Sequence, residues 1–101
     1  MQERKCFMCG RNGNGDPLER HHIFGASNRD KSERLGLVVD LCGNECHRLG
    51  RLAAHRNKDT MLFLHQYGQI KAMKEQNWTV ADFRREFGHN YLDIDEEDFC
   101  V

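Results

Sequence analysis

The sequence predicts a small α+β domain with a β-hairpin near its start and helices after it. A chain of 101 residues has the size of one domain. Two short strand-like runs, Leu18 to Phe24 and Gly36 to Leu41, lie in the first half. The longer segments with helical spacing of apolar residues lie in the second half.

The first half contains loops around its two predicted strands. The run 11–17, RNGNGDP, is rich in residues that favour turns. Gly36 to Leu41 is the clearest strand, because it is short, β-branched and bounded by turn residues. Between the strands, Gly25 to Arg34 is polar, and we expect a loop there.

Helices are expected from Cys46 onward. A helix that begins soon after Cys46 could be interrupted at Gly50. Asn57 or Asp59 could cap a longer helix that runs to about Lys74. The stripe expected to face the core of that helix is made of Leu62, Phe63, Tyr67, Ile70 and Met73.

A last helix is expected to begin after Thr79 and to end at Gly88. These signals divide the chain into three parts: a core over 1–57, a helical extension of the same domain over 58–92, and an acidic tail over 93–101.

Charge is distributed unequally along a chain whose net charge is −1. Residues 1–58 carry 11 Lys and Arg against 7 Asp and Glu, whereas residues 59–101 carry 4 against 9. The first half is therefore the basic one, which suits a phosphate-facing surface but is also common on any solvated surface. No run is apolar enough to span a membrane or to form a signal core, so we expect a cytoplasmic protein with reduced cysteines.

Two cysteine pairs, Cys6-x2-Cys9 and Cys42-x3-Cys46, have spacings that zinc sites use. Reduced thiols in the cytosol favour metal ligation over disulfides. We expect the four thiolates to share one structural Zn²⁺, and the alternative is two pairs of buried cysteines without a ligand.

His21 and His22 lie between the cysteine pairs, on the first predicted strand. Consecutive side chains of a strand point to opposite faces. The two rings are thus poorly placed to bind one ion together, but one could ligate a metal while the other accepts a proton from water.

The order of these motifs resembles the HNH endonucleases, the ββα-metal nucleases, and especially small phage and prophage members with a four-cysteine zinc. The resemblance rests on Cys-x2-Cys, on HHIFG at 21–25, on GLVVDLC at 36–42 and on the dipeptide Cys46-His47. It implies a hairpin–helix core stapled by zinc, with additional C-terminal helices. It also implies metal-dependent DNA hydrolysis that leaves 5′-phosphate and 3′-hydroxyl ends, with Zn²⁺, Ni²⁺, Mn²⁺ or Mg²⁺ as the catalytic ion.

The resemblance assigns roles to individual histidines. His22 corresponds to the general base, and His21 and His47 correspond to ligands of the catalytic ion. His55 could be a third ligand only if the chain folds back near Gly50, because eight residues of continuous helix rise about 12 Å. Otherwise His55 is an exposed helical residue.

Two features depart from the family pattern. The middle asparagine, which usually opens the second strand, is absent around Gly36-Leu37-Val38. Asn28 in the connection could replace it, or backbone hydrogen bonds could suffice. The three-residue spacing between Cys42 and Cys46 is a smaller departure.

Basic residues near the predicted site could contact DNA phosphates or could form an ordinary solvated face. They are Arg29, Lys31, Arg34, Arg48, Arg51 and Arg56. The expected partner is DNA, not a membrane, and the protein would act as a monomer or a homodimer. The alternatives are a non-catalytic zinc module that binds DNA or protein, and an accessory nuclease subunit working with phage DNA-packaging or recombination proteins.

Overall fold

A two-stranded antiparallel sheet and the helices around it form the part of the chain that the computed structural model describes, residues 4–92. This confirms the predicted α+β class. The predicted acidic tail, 93–101, lies outside the described residues. Within residues 4–92, no helix combines the length and the apolar character needed to cross a lipid bilayer.

The hairpin consists of β1 (Leu18–His22) and β2 (Val38–Cys42). Its register pairs Leu18 with Cys42 at one end and His22 with Val38 at the other. Both strands were predicted to within a few residues. The sheet therefore holds a cysteine at one end and the histidine pair at the other, about 13 Å apart for a five-residue strand.

The connection between the strands is helical, so the predicted loop over Gly25 to Arg34 is wrong. A 3₁₀ turn, Ala26–Asn28, leads into α1 (Arg29–Arg34). The cause is a buried tertiary contact. The Ser32 hydroxyl donates to the Phe24 carbonyl at 2.7 Å and accepts from the Phe24 N–H at 3.0 Å, which folds this polar segment against the end of β1.

After β2 the chain makes one helical turn of π type, Gly43–Arg48, and then reverses. The Asp16 carboxylate caps this turn by accepting from the N–H groups of Asn44 and Glu45 at 2.9 and 3.0 Å. At Gly50 the chain passes so close to the Glu45 carbonyl that a Cβ would lie 2.0 Å from its oxygen. The predicted helix after Cys46 is thus limited to a single turn.

Two further helices follow the sequence signals closely. Helix α2 (Lys58–Gln76) begins at Asn57, whose side chain accepts from the Thr60 N–H. Helix α3 (Val80–Phe87) begins with a capping box between Thr79 and Asp82 and ends at Gly88, whose φ is +83°.

The buried core has two parts. The larger joins the hairpin end to α2 and α3 through Ile23, Phe24, Leu37, Ala72, Met73, Val80, Phe83 and Phe87. The smaller surrounds the cysteines and includes Leu41, Ala54 and Leu64. The stripe predicted for α2 is largely wrong, because Leu62, Phe63 and Ile70 are exposed. Only Met73 of that stripe is fully buried.

Candidate metal sites

The four cysteines converge although 33 residues of sequence separate Cys9 from Cys42. Their four Sγ atoms, from Cys6, Cys9, Cys42 and Cys46, all lie within 4.8 Å of one another. The Sγ atoms of Cys9 and Cys42 are 3.5 Å apart. Sulfurs around a tetrahedral zinc ion with Zn–S bonds of about 2.3 Å are about 3.8 Å apart. The cluster therefore has the size to hold a metal ion such as Zn²⁺.

The acidity of these thiols differs across the cluster. Burial raises the pKa of Cys42 to about 12 and also raises that of Cys46. Burial acts in the same direction on Cys6, but the N–H groups of Cys9, Cys42 and Met8 outweigh it and bring its pKa to about 7. The thiols of Cys42 and Cys46 therefore keep their protons at neutral pH unless a cation compensates the charge of their thiolates.

Three histidines form a second cluster. One ring nitrogen from each of His21, His47 and His55 lies within 4.8 Å of the others. The Nε2 atoms of His47 and His55 are 3.1 Å apart. The reversal at Gly50 makes this possible, since it also pairs the His55 N–H with the His47 carbonyl at 3.1 Å.

His21 supplies the strongest sign that an ion fits this cluster. Its Nε2 is buried and has no hydrogen-bond partner among residues 4–92. A buried polar atom without a partner costs roughly 1–3 kcal/mol. A divalent ion between the three rings would give this nitrogen the partner that the protein does not provide.

Burial, followed by the neighbouring rings of His47 and His55, lowers the pKa of His21 to about 4. Burial, followed by the charge of His47, also lowers the pKa of His55. Both imidazoles are therefore neutral at pH 7, which is the form that binds metals.

A carboxylate that the sequence analysis missed orients His47. The Oε1 atom of Glu19 lies 2.8 Å from Nδ1 of His47, which leaves Nε2 for an ion. Arg48 holds the same carboxylate with two hydrogen bonds, at 2.6 and 2.8 Å. The sequence signal was available: Glu19 precedes His21 by two residues and so shares its face of the strand.

His22 points to the other face of β1, as expected for its position. Its Nε2 is 2.7 Å from Oε2 of Glu33, on α1. Nevertheless, His22 shares one cleft of about 280 Å³ with the three-histidine cluster. The cleft is lined by Arg20, His21, His22, Gly25, Ala26, Arg29, His47 and His55. It can accept groups much larger than a water molecule, whose volume is about 30 Å³.

The six basic residues predicted to contact DNA are dispersed. Arg29 lines the cleft beside His22, and it has no ion-pair partner within the described part of the chain. Arg34 and Arg51 are exposed elsewhere.

The other three basic residues have internal partners. Arg48 is paired with Glu19. Arg56 donates to the Leu49 carbonyl at 2.8 Å. Lys31 donates to the Glu86 carbonyl and lies 5.7 Å from the ring centroid of Phe87. Their side chains thus stabilise the fold as well as offering charge.

Asn28 does not brace the hairpin in place of the missing asparagine. Its amide donates to the Phe87 carbonyl at 3.3 Å, so it ties the connection to α3. The hairpin end is held instead by Ser32 and by a backbone bond of 3.0 Å from Ile23 to Leu37. Ser32 is the second residue that sequence reasoning missed, and no local pattern distinguished it from other serines.

No family model, curated protein or solved structure matches this chain.

Proposed function

We propose that this chain is a metal-dependent DNA endonuclease of the HNH type, in which His22 is the general base. The observation that carries the proposal is the shared cleft: one cavity is lined by a three-histidine cluster with the size for an ion and by a fourth histidine held separately by Glu33. Phosphodiester hydrolysis needs such a division between a cation site and a proton acceptor.

The protein groups around the cleft have distinct tasks in this proposal. His22 accepts the proton of the attacking water, because imidazole can take a proton near neutral pH. Arg29, at the rim of the cleft, binds a phosphate oxygen of the DNA backbone. A divalent ion bound by His21, His47 and His55 would supply Lewis acidity toward the phosphate oxygens, and three nitrogen ligands favour Zn²⁺, Ni²⁺ or Mn²⁺ over Mg²⁺.

The cysteine site has a structural task. Cys42 ends β2 and Cys46 lies in the π-type turn that also carries His47. Zinc bound by the four thiolates would fix this turn against Cys6 and Cys9, and therefore fix His47 relative to His21 on β1. We expect the cysteine-bound zinc to position the ligands without touching substrate.

A second candidate is a zinc module that binds a partner without catalysis. It is favoured by exposed apolar side chains. Leu49 and Leu52 are 63% and 62% exposed, and Leu52 lines a cavity together with Cys9 and Cys46. Metal stoichiometry separates the two candidates. One tightly held zinc per chain supports the binding module, whereas an additional exchangeable ion supports the nuclease.

The direct test is nicking of supercoiled plasmid DNA by the purified protein with Zn²⁺, Ni²⁺, Mn²⁺ or Mg²⁺. We expect nicking with at least one ion, and we expect His22→Ala to lower its rate by about 10²–10⁴-fold, the usual contribution of a general base. Zinc content and thermal unfolding should remain as in the wild type, because His22 is not one of the grouped ligands.

His89→Ala is the matched control, since His89 is exposed and lies outside the cleft. It should nick at the wild-type rate. If His22→Ala nicks as fast as His89→Ala, the assignment of the base is wrong. If the wild type nicks with none of the four ions, the nuclease proposal itself fails.

A further inference from the structure

The carboxylate of Glu33 is held between two side chains of β1. Arg20 donates to it twice, from Nη2 to Oε1 at 2.6 Å and from Nε to Oε2 at 3.1 Å. Nε2 of His22 lies 2.7 Å from Oε2. Arg20 and His22 are two residues apart on a strand, so their side chains project from the same face, toward α1.

The backbone of Glu33 is fixed as firmly as its side chain. Its neighbour Ser32 is fully buried and forms two hydrogen bonds with the backbone of Phe24. This contact docks α1 against the end of β1. Glu33 therefore reaches His22 from a rigid element and not from a flexible loop.

The charge state of this group of residues determines the tautomer of His22. The guanidinium of Arg20, and then the hydrogen bond to His22, hold the pKa of Glu33 below its ordinary value of 4.5. Glu33 is therefore an ionised carboxylate at pH 7 and can only accept hydrogen bonds. In the neutral form of the His22 ring, Nε2 therefore carries the proton that it donates to Glu33, and Nδ1 is the nitrogen that is free to accept another.

We propose that Glu33 is the positioning residue of the general base: it holds the His22 ring through Nε2–H, leaves Nδ1 as the proton acceptor and balances the positive charge that His22 gains. This inference rests on the proposed nuclease function. It goes beyond it by naming the reactive nitrogen and the residue that controls it. The arrangement serves the purpose that the carboxylate serves in Ser-His-Asp sites, on an unrelated scaffold.

The water oxygen forms a bond to phosphorus while a water proton moves to Nδ1 of His22, and the bond from phosphorus to the 3′-oxygen breaks. The 3′-oxygen takes a proton from solvent. His22 is then an imidazolium with both nitrogens protonated, and it returns to the neutral form by releasing the Nδ1 proton to solvent. Glu33 remains a carboxylate throughout.

Kinetics of plasmid nicking test the proposal in Glu33→Ala, Glu33→Gln and Glu33→Asp. We expect Glu33→Ala to lower kcat about 100-fold, at the low end of a general base's usual contribution, with KM unchanged. Glu33→Gln keeps an acceptor but loses the charge, so its kcat should lie between those of Glu33→Ala and the wild type. Glu33→Asp should recover most of the activity, because it keeps the carboxylate.

Glu75→Ala is the matched control. Glu75 is likewise an exposed glutamate in an ion pair, with Lys71 at 2.8 Å, but it lies on α2 away from the cleft. Its kcat should equal that of the wild type. A merely structural role of Glu33 would appear instead as lower thermal stability with no recovery of kcat in Glu33→Asp, and that result would overturn the proposal.

Nitrogen NMR of the wild-type protein tests the contact independently of activity. We expect the neutral form of the His22 ring to carry its proton on Nε2, with Nδ1 unprotonated. The opposite tautomer would overturn the proposal even if every variant nicked as predicted. If the wild type nicks and Glu33→Ala has the wild-type kcat, the positioning role fails while the nuclease function stands. If the wild type does not nick with any ion, the nuclease function fails, and with it the role of Glu33.

Discussion

Strand β1 presents a different chemical surface on each face, two residues at a time. Glu19 and His21 lie toward the three-histidine cluster, whereas Arg20 and His22 lie toward Glu33. On each face, one histidine ring has a carboxylate close by. Glu19 contacts His47, and Glu33 contacts His22. Carboxylates of this kind fix the orientation and the tautomer of a histidine ring.

At the residue scale, we predict that Glu19→Ala weakens the binding of a metal ion by His21, His47 and His55. Loss of the acceptor for Nδ1 of His47 frees its ring to turn, and removal of such partners typically lowers metal affinity about 10–100-fold. Calorimetric titration of Zn²⁺ into protein that already contains the cysteine-bound zinc measures the change. Glu75→Ala is the control and should bind the exchangeable ion as the wild type does. Equal affinities for Glu19→Ala and Glu75→Ala would contradict this role.

Helix α2 approaches the end of β1 unusually closely at Gly68. A Cβ at this position would lie 2.6 Å from Cγ2 of Ile23 and 3.0 Å from Cε2 of Phe24. Both of these side chains are buried in the larger part of the core. Glycine in mid-helix is therefore explained by packing, since the two elements could not meet at this distance with a larger residue.

At the element scale, we predict that Gly68→Ala destabilises the protein. Alanine would favour the helix by about 1 kcal/mol, but overpacking a well-filled core costs about 1–3 kcal/mol. We expect the cost of overpacking to exceed the gain in helix propensity. The free energy of unfolding measured by urea denaturation should therefore fall by about 1 kcal/mol. Lys74→Ala, on an exposed position of the same helix, should change it by less than about 0.5 kcal/mol. A stabilised Gly68→Ala would show that Ile23 can move aside.

We expect the whole molecule to depend on metal, because its core is divided and the smaller part is built around the cysteine cluster, which could hold an ion. The larger part is conventional and apolar, but three of the six buried residues in the smaller part are cysteines, Cys6, Cys42 and Cys46. Without a cation, burial keeps the thiols of Cys42 and Cys46 protonated. The smaller core therefore has little apolar surface of its own to keep the N-terminal segment, β2 and the π-type turn together.

At the scale of the whole molecule, we predict that metal is lost in two separable steps. A weak chelator should remove the histidine-bound ion, so that nicking stops while circular dichroism is unchanged. A stronger, thiol-competing chelator should remove the cysteine-bound zinc and unfold the protein. Structural zinc sites bind with about 10–16 kcal/mol, as much as the whole stability of a typical domain.

Restoring Zn²⁺ after the second step should restore both the circular dichroism spectrum and the melting transition. A protein that melts cooperatively after complete loss of zinc would contradict the structural role of the four cysteines. Loss of both ions in a single step would contradict the separation of the two clusters.

The sequence alone was sufficient for features that depend on neighbouring residues. The cysteine spacings predicted a four-sulfur cluster, and Cys6, Cys9, Cys42 and Cys46 do come together. Thr79 was predicted as the start of the last helix, and Asn57 was one of two residues expected to cap the helix before it. Both could be found because capping is a hydrogen bond to an N–H three residues away. The strand after Gly36 was also identified from local signals, namely β-branched residues between turn residues.

Tertiary contacts decided the rest. His55 joins His21 and His47 only because the chain reverses at Gly50, where the Glu45 carbonyl leaves no room for a side chain. Helix α1 forms where a loop was expected because Ser32 bonds to Phe24, and α2 buries a different stripe because Gly68 faces Ile23. The carboxylates of Glu19 and Glu33 reach their histidines across 28 and 11 residues. Such pairings depend on how separate elements meet in space, and the spacing of residues along the sequence does not determine this.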